Sequence, residues 1–364
     1  MKWDGIVFTF LLIYSASFGC IFFLTPLIPF VFFQPRLGRR LMDQMIWLWQ
    51  LYAVYLYEKI CGVKAVITGD AVYDDECELI IMNHRTRFDW LFVFSYQIRC
   101  GSLRHFKISL KEILKNVPGP GWAMQCAGYI FLHRNWEHDK NTISKCFTYF
   151  KKLNYKPQVL LFPEGTDLTA RTKARSDKFA KDNGFEPYEY VLHPRTTGFT
   201  YFVEQMREVN LFDSIIDITV GYPVNIPQNE SDIIRGDFPK EVHFHIKRYK
   251  SLDIPSDKES VDNWCRKIWK EKEERLKQFY KDKKFNGTDS KIKCIDEREI
   301  QSLFKFSSIF WTIFQISTFV LLIYAPVIRW FALLSISIFV LISKFGGIQV
   351  LLDSELENAK HYVM

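Results

Sequence analysis

The 364-residue sequence predicts an α/β protein: a mainly parallel sheet with helices on both faces, held between an N-terminal membrane helix and a C-terminal membrane hairpin. Three observations predict it. Apolar runs of strand length alternate with patterns of helical length between roughly residues 60 and 300, the rhythm of a parallel sheet covered on both sides. No charged side chain occurs between Asp4 and Arg36. A second apolar stretch, 306–343, is broken only by Arg329.

The first stretch is longer than the about 20 apolar residues that a helix needs to cross a bilayer. It continues past the small residues SAS (15–17), which a cleaved signal peptide does not do, so it reads as an uncleaved anchor that Pro26 and Pro29 end or kink. Arg36, Arg39 and Arg40 follow the span and only Lys2 precedes it; that bias puts the following domain in the cytosol. MIWLWQLYAVYLY (45–57) is uncharged and rich in Trp and Tyr, residues of the headgroup level, and reads as an interfacial helix. A second full span there would send the domain to the lumen. Strands are expected in AVITG (65–69), LIIMNH (79–84), QVLLFPEGT (158–166), SIIDITVGYP (214–223) and EVHFHIKRY (241–249), and a helix in NTISKCFTYFKKL (141–153). KEKEERLKQFYKDKKF (270–285) reads as a solvated helix of neighbouring opposite charges. FSSIFWTIFQISTFVLLIYAPVI (306–328) is long enough to cross, and WFALLSISIFVLIS (330–343) forms a shorter second arm after a turn near 326–329.

Hydrophobic residues make up 48% of the chain, with 33 Phe, which points to a membrane protein. A net charge of +7 and a pI near 8.8 favour anionic partners. Basic and acidic residues are interspersed and no zinc-finger, recognition-arm or RNA-binding signature occurs, so an anionic lipid surface or phosphorylated substrate fits better than nucleic acid. The eight Cys are scattered without a C-x-x-C pair and read as small buried hydrophobes in a reducing compartment. The sequons at Asn229 and Asn286 stay unmodified in a cytosolic domain.

The chemistry starts at NHRTRFDW (83–90), directly after the apolar ELIIM. Five polar residues at the end of a buried strand are costly unless they bind or react. On a regular helix His84 and Asp89 would lie roughly 140° apart. If the chain turns before a helix starts near Asp89, the carboxylate folds back on the imidazole, orients it and stabilises its protonated form, making a general base. There is no G-x-S-x-G elbow, H-E-x-x-H or Walker A loop, so the nucleophile is expected to belong to the substrate, such as an alcohol. FPEGTD (162–167) puts Glu164, Gly165 and Thr166 at another strand end, and GYIFLHR (128–134) ends on His133 and Arg134, whose planar fork suits phosphate. Ligands of such sheets bind beyond the carboxyl ends of the strands. Metal ligation by His84 or His133, or by His243 and His245 of HFH, is the chemical alternative; spacing supplies no third ligand and no metal is expected.

The order NHRTRFDW, GYIFLHR, FPEGTDLT and VGYP (220–223) resembles the glycerolipid acyltransferases, which include the 1-acylglycerol-3-phosphate and lysophospholipid enzymes. FPEGTDLTARTKARSDKFAKDNGFEPYEYVLHPRTTGF (162–199), GDFPKEVHFHIKRY (236–249) and WKEKEERLKQFY (269–280) are similar to the lysocardiolipin branch. The resemblance implies the glycerol-3-phosphate acyltransferase-like fold, with residues 1–40 as anchor, 41–300 as acyltransferase domain and 301–364 as membrane segments and short tail. It implies transfer of a fatty acyl group to the free hydroxyl of an anionic lysophospholipid at the endoplasmic reticulum membrane, with acyl-CoA as co-substrate and no cofactor. His84 is then the base and Asp89 its orienter. Arg85, Arg87, Arg134, Glu164, Gly165, Thr166 and Arg195 face the acceptor, and Gly221, Tyr222 and Pro223 the acyl donor. Arg85 stands where many members carry an uncharged small residue or Gln, and Arg87 follows it, implying added affinity for an anionic headgroup. A phosphatidic-acid-forming enzyme, a silent membrane scaffold and a lumenal metal-dependent lipid hydrolase are the alternatives.

Overall fold

The computed structural model describes residues 3–73, 75–285 and 294–348. The chain divides into two compact units that interleave in sequence. The first comprises Met1–Phe8, Leu56–Ile108 and Lys156–Asp296, the second Thr9–Tyr55, Ser109–Tyr155 and Glu297–Met364.

Among the described residues the strands are β1 (Lys64–Gly69), β2 (Glu78–Met82), β3 (Phe106–Lys111), β4 (Ile130–Leu132), β5 (Gln158–Leu161), β6 (Ser214–Gly221) and β7 (Glu241–Lys250). In the first unit they stand in the order β1-β7-β6-β2-β5-β3. All neighbours there are parallel except β6 and β7, which are antiparallel. β3 runs on into the second unit, where Ser109–Lys111 pairs in parallel with β4. Every residue of β2, β5 and β6 is buried, as expected for central strands covered on both faces; this is why they read as continuous apolar runs. β3 lies outside the expected strands although Phe106, Ile108 and Leu110 alternate with Lys107, Ser109 and Lys111. Of its polar positions Lys107 and Ser109 are buried, and Lys111 is exposed.

The helices are α1 (Trp3–Gly19), α2 (Ile28–Phe33), α3 (Pro35–Tyr55), α4 (Asp89–Phe92), α5 (Phe94–Cys100), α6 (Pro120–Cys126), α7 (Trp136–Lys152), α8 (Ala170–Asp182), α9 (Thr196–Glu208), α10 (Glu230–Ile234), α11 (Lys258–Asp282), α12 (Glu297–Tyr324) and α13 (Pro326–Lys344). Among the described residues, three helical stretches are long and apolar enough to cross a membrane: Trp3–Phe33, Glu297–Tyr324 and Pro326–Lys344. The first changes its winding at Cys20–Leu24 and again at Thr25–Leu27, just where Pro26 removes a backbone donor, and Pro29 opens α2. The turn between α12 and α13 is tighter than expected. Ala325 alone is extended, and Pro326 takes the first helical position, where its missing N–H costs nothing.

Inside the second unit α3 packs on α12 through polar contacts. Tyr52 Oη donates to Gln315 Oε1 at 3.2 Å, and the Ser307 hydroxyl and Trp311 Nε1 both donate to the Leu48 carbonyl, at 3.0 and 3.1 Å. Asn229 is spent as the cap of α10, its side chain accepting from Asp232 N, and Asn286 lies outside the described residues.

The helix expected to be solvated is the main departure. α11 turns Val261, Cys265, Ile268, Trp269, Lys272, Glu273, Leu276 and Phe279 inward. Their spacing of three and four makes one helical stripe, and the stripe buries a lysine and a glutamate among the apolar groups. Glu273 is held by the backbone N–H groups of Glu189, Tyr190 and Val191.

Candidate active site

β2 lies between β5 and β6, parallel to both, so the segments leaving all three strands emerge at the same sheet edge. NHRTRFDW, FPEGTD and the end of VGYP are those segments. Asn83 clasps the neighbouring strand end, accepting from Val220 N at 2.8 Å and donating to Val220 O at 3.1 Å. The chain then turns. Asp89 N donates to Thr86 O, Thr86 N donates to Asp89 Oδ2 at 2.9 Å, and α4 begins at Asp89.

That turn brings the imidazole and carboxylate together, with His84 Nδ1 2.9 Å from Asp89 Oδ2. A carboxylate oxygen accepts, so the proton sits on Nδ1 and the lone pair of Nε2 is available for chemistry. The Asp89 side chain is wholly buried, whereas that of His84 is 17% exposed. Phe162 stacks on the imidazole with ring centroids 4.2 Å apart. Tyr222 Oη donates to the second carboxylate oxygen, Asp89 Oδ1, at 2.5 Å.

Glu164 supports the site from beneath. Its Oε1 accepts from His84 N at 3.3 Å and Trp269 Nε1 at 3.2 Å, and its Oε2 from Leu192 N at 3.1 Å. Burial pushes its carboxyl up to about 7 against the lowering effect of those donors and of His84. Buried and bonded inward, Glu164 acts on the backbone of the histidine.

Residues 65–225 match the family described as Acyltransferase, and 232–311 match Acyltransferase C-terminus. Lysocardiolipin acyltransferase 1 of Gallus gallus is 46% identical over 355 residues, covering 96% of this chain and 94% of that protein. The chain belongs to the acyltransferase family. Lysophosphatidylinositol acyltransferase 10 of Caenorhabditis elegans is 39% identical over 284 residues, 76% of this chain and 71% of that one. In structure this acyltransferase resembles the 1-acyl-sn-glycerophosphate (LPA) acyltransferase PlsC of Thermotoga maritima, with a TM-score of 0.51 and 16% identity over 76% of this chain and 95% of that one. The likeness is one of fold.

Most of the residues singled out in sequence gather around the dyad of this acyltransferase. Arg85 Nη1 reaches the Leu168 carbonyl at 3.4 Å, and Leu168 N donates to His84 O at 2.8 Å, tying FPEGTDLT to the histidine loop. Arg87 is half-exposed, 3.3 Å from Glu230 and 3.6 Å from Asp167, and the Thr166 hydroxyl donates to Asp167. Gly165 has φ +72°, and a Cβ there would lie 3.4 Å from Arg195 Cδ, so the turn needs glycine and Arg195 lies against it. Arg195 N donates to Pro163 O at 2.8 Å. A Cβ at Gly221 would lie 2.6 Å from the Phe279 ring of α11, which shows how closely that helix covers β6.

Arg134 belongs to the second unit, at φ +65°, where Asp139 accepts the backbone N–H of both His133 and Arg134. His133 Nε2 meets Glu112 Oε2 at 2.5 Å, and His133, His138 and Asp139 bring ligand-type atoms within 4.8 Å of one another. The strand histidines have separate neighbours: His243 pairs with Glu241 at 3.0 Å, and His245 Nδ1 lies 3.1 Å from the Thr68 hydroxyl. Trp269 was invisible as a site residue because its indole works 105 positions away, on Glu164. The only signal was its place on the inward stripe of α11.

Proposed function

We propose that this acyltransferase moves a fatty acyl group from acyl-CoA to the free hydroxyl of an anionic lysophospholipid, lysophosphatidylinositol, lysocardiolipin or a similar acceptor. One observation carries the reading: a half-open imidazole held at Nδ1 by a fully buried carboxylate, at the carboxyl edge of the sheet. His84 Nε2 takes the proton of the lipid hydroxyl as its oxygen attacks the thioester carbonyl. Asp89 stabilises the imidazolium. When the tetrahedral intermediate collapses, the carbon–sulfur bond breaks and the same proton passes to the departing CoA sulfur, so the base is regenerated. Arg85 and Arg87 supply positive charge beside the base, which suits a phosphorylated headgroup. The relatives' acceptors, anionic lysophospholipids by name, support the substrate class.

The apolar helical stretches support attachment to a membrane, and the Arg-rich segment after the first supports a cytosolic face of the endoplasmic reticulum. The test is labelled acyl-CoA with a panel of lysophosphatidylinositol, lysocardiolipin, lysophosphatidylglycerol and lysophosphatidic acid in membranes carrying wild type or His84→Ala. Transfer to an anionic acceptor that disappears in His84→Ala is expected. Normal transfer by that variant sinks the mechanism, and transfer confined to neutral acceptors sinks the substrate class.

A further inference from the structure

Asp89 receives three donors on two oxygens. His84 Nδ1 and Thr86 N both use Oδ2, and Tyr222 Oη serves Oδ1. The Tyr222 hydroxyl is therefore what restrains the far side of the carboxylate. Its place is well defined by the fold: it is the first residue beyond β6, two positions after the Val220 peptide that Asn83 clasps from the end of β2. The ring is 1% exposed and packs edge-on to Phe92 of α4 at 6.2 Å. Its polar atom is thus committed to Asp89 rather than turned to a ligand. Further along the same segment Val224 and Asn225 are exposed, while Pro223 is half-buried.

We propose that Tyr222 is the third member of the His84–Asp89 assembly: a positioning residue whose hydroxyl holds the carboxylate so that Oδ2 meets the imidazole, and draws off part of its charge so that the imidazole is readily freed of its proton. This rests on the reading of His84 as the base, and it gives the VGYP stretch a part in proton transfer beyond holding the acyl donor. The titratable and charged groups around the assembly come from each element packed there: His84 and Arg85 after β2, Asp89 of α4, Glu164 after β5 and Tyr280 of α11. Arg85 is the cation among them. It acts on the same pair in wild type and variant, so removal of one hydroxyl isolates the contribution of Tyr222.

Tyr222→Phe keeps the ring and removes the donor. It is expected to lower kcat about 10-fold to 100-fold, the scale of a hydrogen bond to a charged group, with KM for acyl-CoA unchanged. The acidic limb of kcat/KM against pH should move to higher pH, because an Asp89 without its second donor holds the imidazolium more firmly. In an Asp89→Ala background the same substitution should add nothing. Replacing Tyr222 by 3-fluorotyrosine, a stronger donor of nearly the same shape, should move the acidic limb the other way, to lower pH. That variant keeps the packing, so the test survives even if Tyr222→Phe accumulates poorly. Unchanged kcat and pH limbs, an effect on KM alone, or losses that add fully to those of Asp89→Ala overturn the proposal. Full activity in His84→Ala would sink the base itself, whereas a neutral Tyr222→Phe beside a dead His84→Ala sinks only the role of the tyrosine.

Discussion

Two clusters in the first unit bury the same kinds of groups, yet they differ in where their valences point. Around Asp89 the carboxylate is sealed, but the side chain of His84 that it holds is 17% exposed. Around Asp217, on β6, the ammonium of Lys272 and the carboxylate are both fully buried and paired, Lys272 Nζ donates to the Ile218 carbonyl at 2.6 Å, and Arg275 stands 3.6 Å off. Burial lowers the Lys272 ammonium below its ordinary range against the pull of Asp217. Burial, then Arg275, push nearby His245 down to about 4, so it stays neutral. Buried charge alone therefore does not mark a reactive site. What distinguishes the first cluster is a titratable group held from one side and open on the other.

The sharpest test of that contrast pairs one substitution in each cluster. His84→Ala should cut acyl transfer by about 10² to 10⁴, the range for loss of a general base, with thermal unfolding in detergent unchanged. Lys272→Met should give the reverse. Asp217 then keeps only the more distant Arg275, 3.6 Å away, as counter-charge, and about 3 kcal/mol of stability is lost, while the fraction still folded keeps its kcat. Should Lys272→Met abolish turnover without lowering the unfolding temperature, the contrast fails.

Glu164 lies between the two cases, buried like Lys272 yet bonded to the histidine backbone. Its folded-state value of about 7 exceeds the ordinary carboxyl value of 4.5. The contribution of this group to stability is therefore full below about 4.5 and is lost as pH rises to about 7, where the buried carboxylate must ionise. Glu164→Gln cannot ionise, and its unfolding midpoint should fall less between those two pH values than that of wild type. At the same time its amide faces one backbone N–H as donor against donor, so a loss of about 1–3 kcal/mol independent of pH is expected. Parallel wild-type and variant midpoints across that range would show that Glu164 does not titrate there.

The smallest effect belongs to Arg87. Its pairs are half-exposed and worth about 0–1 kcal/mol, so Arg87→Ala should leave the unfolding midpoint in place. KM for an anionic lysophospholipid should rise a few-fold at low salt and the difference should shrink as salt screens it. A salt-independent loss of kcat would move Arg87 from binding charge into the proton-transfer assembly.

Much of this was legible in residue order. The buried runs of β2, β5 and β6, the helix NTISKCFTYFKKL and the apolar helical stretches announce themselves by period and length. The meeting of His84 with Asp89 fits the expectation made conditional on a turn ahead of Asp89, since a continuous helix would hold them apart. β3 is harder to read although its alternation is regular, because half of that pattern is Lys and Ser, which suggests solvent where Lys107 is in fact buried. α11 hides its buried stripe for the same reason. Its charges outnumber its apolar residues, and nothing local reveals that Lys272 and Glu273 find buried partners at Asp217 and at the 189–191 backbone.

Residue order alone dictated that the apolar runs of β2, β5 and β6 are strands, which segments can enter a membrane, and that an imidazole and a carboxylate five positions apart can meet at a strand end if the chain turns there. Those outcomes depend on local period, composition and the reach of a short turn. Folding decided the rest: that Glu164 anchors the histidine backbone across 80 positions, Trp269 anchors Glu164 across 105, and Tyr222 completes Asp89 across 133. A buried polar atom takes its partner from whichever strand end or helix face the sheet brings beside it, and that neighbour exists only once β2, β5 and β6 lie side by side under α11.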